Sequence, residues 1–148
     1  MRTHAVIIAG GSGSRMGQDI PKQFINVHDK PVLIYTLESF QGHGDVDDIV
    51  VVCIDGWHDV VRAYARQFGI DKLSQIVAGG ETGQESIRNG VYALEGVAAP
   101  DDLVVIHDGI RPLVAPEVLT DVIRVAAERG NAVTSLPYNE QIFVVSGD

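Results

Sequence analysis

Short apolar runs alternate along the chain with amphipathic stretches. Ala5-Val6-Ile7-Ile8-Ala9 is unbroken and stops at Gly10-Gly11, the pattern of a strand buried on both faces of a parallel sheet. Ile49-Val50-Val51-Val52-Cys53-Ile54 repeats it before Asp55-Gly56, and Leu103-Val104-Val105-Ile106 does so before His107-Asp108-Gly109. Residues 74–77, 132–136 and 142–145 are weaker strand candidates. Between these runs the apolar spacing turns helical. It predicts helices over residues 31–40, 57–68, 82–94 and 116–128, with Trp57, Val60, Val61, Tyr64 and Phe68 on one face of the second. Pro116 marks a helix start and Gly130 its stop. Such alternation predicts an α/β domain with a mostly parallel sheet, whose ligand lies at the C-terminal strand ends. Three loops follow strand candidates directly: residues 10–24, 79–86 and 107–112.

The first loop reads Gly10-Gly11-Ser12-Gly13-Ser14-Arg15-Met16-Gly17, then Pro21-Lys22-Gln23-Phe24. Its glycines permit tight turns and close backbone approach, successive N–H groups form an anion-binding concavity, and Arg15 and Lys22 add charge suited to a polyphosphate. No lysine follows a glycine as a Walker A loop requires, and Met16 stands where the dinucleotide fingerprint needs its third glycine. In the second loop Gly79-Gly80 precedes Glu81, Thr82, Glu85 and Ser86. That pattern serves base recognition and an ordinary capping box of Thr82 with Glu85 equally well. In the third, Asp108 is placed to meet Mg²⁺ or a ribose hydroxyl and Arg111 to fork onto a phosphate; an Asp108–Arg111 ion pair within a turn is the plainer alternative.

Composition narrows the function classes. A length of 148 residues accommodates one domain. With 45% apolar and 21% charged residues the chain has the makings of a core, which excludes intrinsic disorder. A net charge of −9 argues against nucleic acid and anionic membranes as partners. The apolar runs reach about six residues, too few for a membrane span, and the N-terminal run is too short for a signal peptide. One cysteine, Cys53, excludes a disulfide framework and reads as a buried strand residue in a reducing, cytoplasmic setting. His4, His28, His43 and His58 lack metal-site spacing. Asp45, Asp47, Asp48, Asp101 and Asp102 read as solvated approaches to strands.

Taken together, Ala-Gly-Gly-x-Gly-x-Arg-Met-Gly, Pro-Lys-Gln-Phe, the Gly-Gly…Ser loop and His-Asp-x-x-Arg-Pro resemble the polyol-phosphate cytidylyltransferases. These act on ribitol 5-phosphate or 2-C-methyl-D-erythritol 4-phosphate. The resemblance covers essentially the whole chain. It implies a Rossmann-like nucleotidyltransferase fold and transfer of CMP from CTP, with Mg²⁺, to a polyol phosphate. Arg15 and Lys22 become the catalytic cations. Ile8, Ala9, Gly10, Gly11 and Gly13 lie against the nucleotide, as do Gly80, Glu81 and Ser86 in the cytosine loop. Asp108 becomes the metal and ribose residue, Gly109 a nucleotide contact and Arg111 the polyol-phosphate contact. Ile8-Ala9-Gly10-Gly11 and His107-Asp108-Gly109-Ile110-Arg111-Pro112 favour the ribitol branch; the methylerythritol branch and a non-catalytic nucleotide-binding module are the alternatives. Gly83 replaces a frequent family arginine, and Glu140-Gln141 a frequent Asp-Thr pair. Family members also continue past position 148 with a dimerisation arm and a further phosphate-contacting lysine. Residues 1–148 are therefore expected to be the nucleotide-binding portion of a longer homodimeric domain, binding CTP weakly and turning over nothing alone.

Overall fold

The computed structural model describes residues 1–11 and 20–137. Its elements run β1 (Thr3–Ala9), a 3-10 turn (Lys22–Phe24), β2 (Asn26–Val27), β3 (Lys30–Pro31), α1 (Val32–Gln41), β4 (Asp48–Cys53), α2 (His58–Gln67), β5 (Leu73–Ala78), α3 (Gly83–Tyr92), β6 (Leu103–Asp108) and α4 (Pro116–Arg129). The four longer strands form one parallel sheet in the order β5-β4-β1-β6, and β2 and β3 make a separate antiparallel hairpin. The α/β class and parallel sheet follow the apolar rhythm. The hairpin was not foreseen, because strands of two residues carry no periodic signal. It turns through His28 and Asp29, both at positive φ.

Residues of β1 alternate between two cores. Ala5, Ile7 and Ala9 join Ile49, Val51 and Cys53 beneath Leu33, Leu37 and Phe40 of α1, Val61 of α2 and Leu119 of α4. Val6 joins Val50, Val52 and Leu94 on the α3 side. A side chain on Gly90 of α3 would run into Val6 and Val52, so that glycine lets the helix lie close on the sheet. Burial pushes the Cys53 thiol up to about 11, and the side chain serves as a small packing group. The third apolar run behaves differently. In β6, Leu103 and Val105 pack inward, whereas Val104 and Ile106 are 38% and 46% exposed. It is an edge strand among the described residues, covered on one face. Residues 132–136 form no strand, and residues 142–145 lie outside the described residues.

Helix ends match the local chemistry. Thr82 and Glu85 form a full capping box on α3. Pro116 opens α4, and Gly130 closes it at φ 89° in the left-handed region.

At the N-terminal edge of the sheet one expectation is corrected. Asp48 and Asp102 are not solvated: they grip His4, which is fully buried. Ring Nδ1 faces Asp48 Oδ1 at 2.5 Å and Nε2 faces Asp102 Oδ2 at 3.2 Å. The Ser74 hydroxyl donates to Asp48, and the Arg2 and Ala99 amides donate to Asp102 at 2.6 and 2.8 Å. These contacts tie the starts of β1, β4, β5 and β6 together. A buried carboxylate needs such donors, and a neighbouring histidine 98 positions away gives no local sequence signal. The Arg2 amide, then the Ala99 amide, then His4 hold the Asp102 carboxyl well below the usual carboxylate range. Its stabilising contribution is therefore complete above the ordinary aspartate pKa of about 3.9 and is lost as pH falls below that value. Asp102→Asn should lower the urea midpoint at pH 7, and the gap to wild type should narrow as pH falls from about 4 towards 2. Urea titrations across that range measure it; a gap that stays constant rules out this charge linkage.

Candidate active site

Parallel pairing brings the C-terminal ends of β1, β4, β5 and β6 to one edge. Ala9 pairs with Cys53, Cys53 with Ala78, and Ile8 with Asp108. The loops that follow meet through backbone contacts that leave no room for side chains. A Cβ on Gly79 would lie 3.3 Å from Gly10 Cα, and one on Gly10 would lie 3.2 Å from Ser86 Oγ. A Cβ on Gly80 would strike Glu85. On the other side the Gly109 amide donates to Ile8 O at 2.8 Å, and a Cβ there would lie 2.9 Å from the same oxygen and 3.3 Å from Ala9 Cβ. Of the residues singled out in the sequence, Ile8, Ala9, Gly10, Gly11, Gly80, Glu81, Ser86, Asp108 and Gly109 thus gather around the end of β1. Gly13 and Arg15 lie outside the described residues.

Between the first two loops an open cleft of about 630 Å³ is lined by Gly10, Gly79, Gly80, Glu81, Asp55 and Arg88. Ser86 is buried, and its Oγ accepts the Gly80 amide at 3.0 Å, so the hydroxyl shapes the loop from within. The Glu85 carboxylate accepts the Glu81 and Thr82 amides at 2.8 and 3.2 Å. The capping role is realised: Glu85 and Thr82 orient the loop, while Glu81 stays exposed at the mouth of the cleft.

The third loop is held by Thr36 of α1, fully buried, whose hydroxyl donates to Gly109 O at 2.8 Å. The Asp108 side chain is 43% exposed; Oδ1 accepts the Ile110 amide at 3.2 Å and Oδ2 lies 3.4 Å from Arg111 Nε. The plainer ion-pair alternative is thus realised, although both groups remain open to solvent. Arg111 also borders a separate groove with Val118, Val122 and Leu136. That groove and a neighbouring one between β6 and α4 are lined largely by apolar side chains and touch the third loop only at Arg111 and His107. Lys22 opens the 3-10 turn and is half-buried. Its neighbour Gln23 donates to Ala9 O and Gly11 O. Gln23 and Thr36 are the supporting residues that sequence reasoning missed; Gln23 was inside a quoted motif, while Thr36 looked like one more position on a helix face.

As a metal site, Asp108 stands alone: no cluster of three or more metal-binding side chains occurs among the described residues. A single half-exposed carboxylate fits Mg²⁺, which is commonly held by one or two carboxylates together with substrate phosphates. No helix among the described residues is long and apolar enough to cross a membrane.

The strand order β5-β4-β1-β6, with helices in the crossovers and glycine loops at the carboxyl ends of the strands, defines a Rossmann-like α/β fold. The family model for IspD, 2-C-methyl-D-erythritol 4-phosphate cytidylyltransferase, matches residues 3–148, and the chain belongs to that family. It is 56% identical over 140 residues, 95% of its length, to ribitol-5-phosphate cytidylyltransferase of Lacticaseibacillus paracasei, covering 60% of that protein. It is 44% identical over 142 residues to the protein of the same name from Streptococcus agalactiae serotype III, covering 95% of this chain and 59% of that one. The crystal structure of a 4-diphosphocytidyl-2C-methyl-D-erythritol synthase superposes with TM-score 0.70 at 31% identity, over 86% of this chain and 55% of the other. The chain thus spans about 60% of the length of the curated relatives it matches.

Two glycine substitutions should separate contact from conformation. Gly109→Ala, which forces a methyl against the Ile8 carbonyl, should destabilise by about 1–3 kcal/mol through overpacking. Gly83→Ala, at the open start of α3 with nothing within 4 Å, should be neutral or stabilising by up to about 1 kcal/mol. Chemical denaturation of the two variants checks the contrast, and equal effects would refute the convergence of the third loop on β1.

Proposed function

We propose that the full-length protein to which this chain belongs transfers CMP from CTP to a polyol phosphate, ribitol 5-phosphate, releasing pyrophosphate and forming CDP-ribitol. The observation that carries this reading is the convergence of three motif-bearing loops at the end of β1. The similarity to ribitol-5-phosphate cytidylyltransferases over most of the chain supports it. In the reaction, a phosphate oxygen of the polyol phosphate attacks the α-phosphorus of CTP. The new O–P bond forms as the bond to the bridging β-phosphate oxygen breaks, and pyrophosphate departs with that electron pair. No protein nucleophile takes part, so catalysis consists of positioning and charge stabilisation.

The residues divide those tasks. The Gly10–Gly11 backbone, with Gly13, supports the nucleotide, while Lys22 and Arg15 balance charge at the α-phosphorus and on the leaving pyrophosphate. Gly80 and Glu81 read the cytosine edge from a loop that Ser86 holds in shape. Asp108 faces the ribose and is the carboxylate that would hold Mg²⁺, which supplies further charge neutralisation on the triphosphate. Gly109 lies against the nucleotide, and Arg111 takes the polyol phosphate. Releasing Arg111 from Asp108 costs little, since an exposed pair contributes about 0–1 kcal/mol. The exposed Val104, Ile106, Leu113 and Leu136 suit a homodimer or further chain packed on the β6 side. The lone buried thiol suits the cytoplasm.

A second reading, methylerythritol phosphate as the acceptor, draws on the solved relative of that activity. Pyrophosphate release with each polyol phosphate decides between them, with faster turnover on ribitol 5-phosphate as the expected result and preference for the other reversing the assignment. Calorimetric titration should also show Mg-CTP bound more tightly than Mg-ATP or Mg-GTP; equal affinities would remove the cytidine assignment. In the full-length enzyme, Lys22→Ala should lower kcat by about 10²–10³ while changing CTP affinity far less. Unchanged kcat would make Lys22 an ordinary solvated lysine.

A further inference from the structure

Gln23 is 2% exposed, and its amide nitrogen donates to two backbone carbonyls, Ala9 O at 2.7 Å and Gly11 O at 3.0 Å. These carbonyls flank Gly10. The side chain thereby joins the entry of the Gly-rich loop to a turn 12 residues further on. Its own base is rigid. Pro21 sets the entry to the turn, Phe24 N–H bonds back to Pro21 O at 2.9 Å and Ile25 N–H to Lys22 O at 3.1 Å. Phe24 is buried and stacks on Trp57 with ring centroids 4.4 Å apart. Lys22 sits between Pro21 and Gln23, so its backbone is fixed relative to Gly10 and Gly11 by the neighbouring side chain.

The chemistry of the contact selects a carboxamide. One nitrogen must present two hydrogens to two acceptors in a buried place without adding charge. Glutamate has no hydrogen to give when ionised and would face two carbonyl oxygens. Methionine fills the volume but gives neither carbonyl a donor; the exposed Gly11 carbonyl can turn to water, while the buried Ala9 carbonyl loses the shorter of its two bonds. Asparagine keeps the amide on an arm one methylene too short. The Ala9 carbonyl also accepts the Ile54 amide at 3.2 Å. It points towards Gln23 and β4, and a trans peptide turns the Gly10 N–H to the opposite side.

We infer that Gln23 is a positioning residue: its double hydrogen bond sets the separation between Lys22 and the Gly10–Gly11 turn that supports the nucleotide. The inference rests on the proposed cytidylyl transfer. A misplacement of about 1 Å in a preorganised charge costs as much as 10²-fold in rate, so loosening the clasp should act on kcat more than on substrate affinity.

The test is a double-mutant cycle on the full-length protein, using Gln23→Met, Lys22→Ala and both together. Pyrophosphate release from CTP with ribitol 5-phosphate is measured well below the melting temperature of every variant. Gln23→Met should lower kcat about 10–10²-fold with KM for CTP changed less than about threefold, and should cost less than about threefold more once Lys22 is already alanine. Gln23→Asn should fall between wild type and Gln23→Met, and it carries the comparison if the methionine variant does not fold. Val61→Ala, a buried change on α2 away from the cleft, controls for lost stability and should leave kcat within about twofold. An unchanged kcat in Gln23→Met, or a full additional loss in the Lys22→Ala background, would overturn the inference while leaving the activity standing. A wild-type protein that neither binds CTP nor releases pyrophosphate would overturn the proposed activity and this inference with it.

Discussion

β1 is hydrogen-bonded on both sides, to β4 and to β6, with every strand running the same way. In an antiparallel sheet the loops after neighbouring strands leave from opposite edges; in a parallel one they must leave from the same edge. The register then sets how close they come. Ala9 lies opposite Cys53, and Ile8 opposite Asp108, so the loops after β1 and β6 start at nearly one level. Crowding follows directly, and it is why Gly10, Gly79 and Gly109 stand where they do: at each, a Cβ would meet backbone or a packed side chain within 3.4 Å. The glycines are a consequence of the pairing as much as a device for binding.

The two ends of the sheet are fastened by different chemistry. At the N-terminal end the ties are charged: His4 between Asp48 and Asp102, with Arg2 beside Asp47 and Asp48. At the C-terminal end they are neutral: the Gln23 amide, the Thr36 hydroxyl and the Ser86 hydroxyl, each buried and each bonded to a backbone group of a glycine loop. No described buried side-chain polar atom lacks a partner, so both sets meet the cost of burying polar groups. The neutral set has a further property. It fixes the glycine loops without adding a charge beneath them.

How much of this was legible depends on the range of each interaction. β1, β4 and the four helices announce themselves through local periodicity, and the start of α3 through Thr82 and Glu85 three positions apart. The three loops were found because each follows a strand and has unusual residues close together. β6 looked like the inner strands because its run is as apolar as theirs; whether a neighbour covers Val104 and Ile106 is not written in those residues. Residues 132–136 hold Val133, Thr134 and Leu136, side chains common in strands, yet hydrogen-bonded pairing needs a partner edge and none engages them among the described residues. His4 with Asp102, and Thr36 with Gly109, are joined across 98 and 73 positions. No pattern within either segment reports the other, so contacts of this kind emerge only from the fold.

Net charge raises the remaining physical question, how a chain of −9 is compatible with the anionic substrates of the proposed reaction. Distance resolves much of it. Asp47, Asp48 and Asp102 gather at the N-terminal ends of β4 and β6, with Arg2 and His4 against them. The glycine loops lie at the opposite ends of strands of six or seven residues, roughly 20 Å away at about 3.3 Å per residue. Salt screens the exposed Asp47 over about 8 Å at physiological ionic strength. The buried Asp48 and Asp102 carboxylates are matched on the spot by Arg2, Ser74, backbone amides and His4, so the acidic edge contributes little field at the cleft. Nearer the cleft, the Glu85 carboxylate is turned back onto the Glu81 and Thr82 amides, and Asp108 is paired with Arg111. What lines the cleft at the end of β1 is local, the Gly10, Gly79 and Gly80 backbone with Asp55, Glu81 and Arg88, and the formal charge of the whole chain is a poor guide to it.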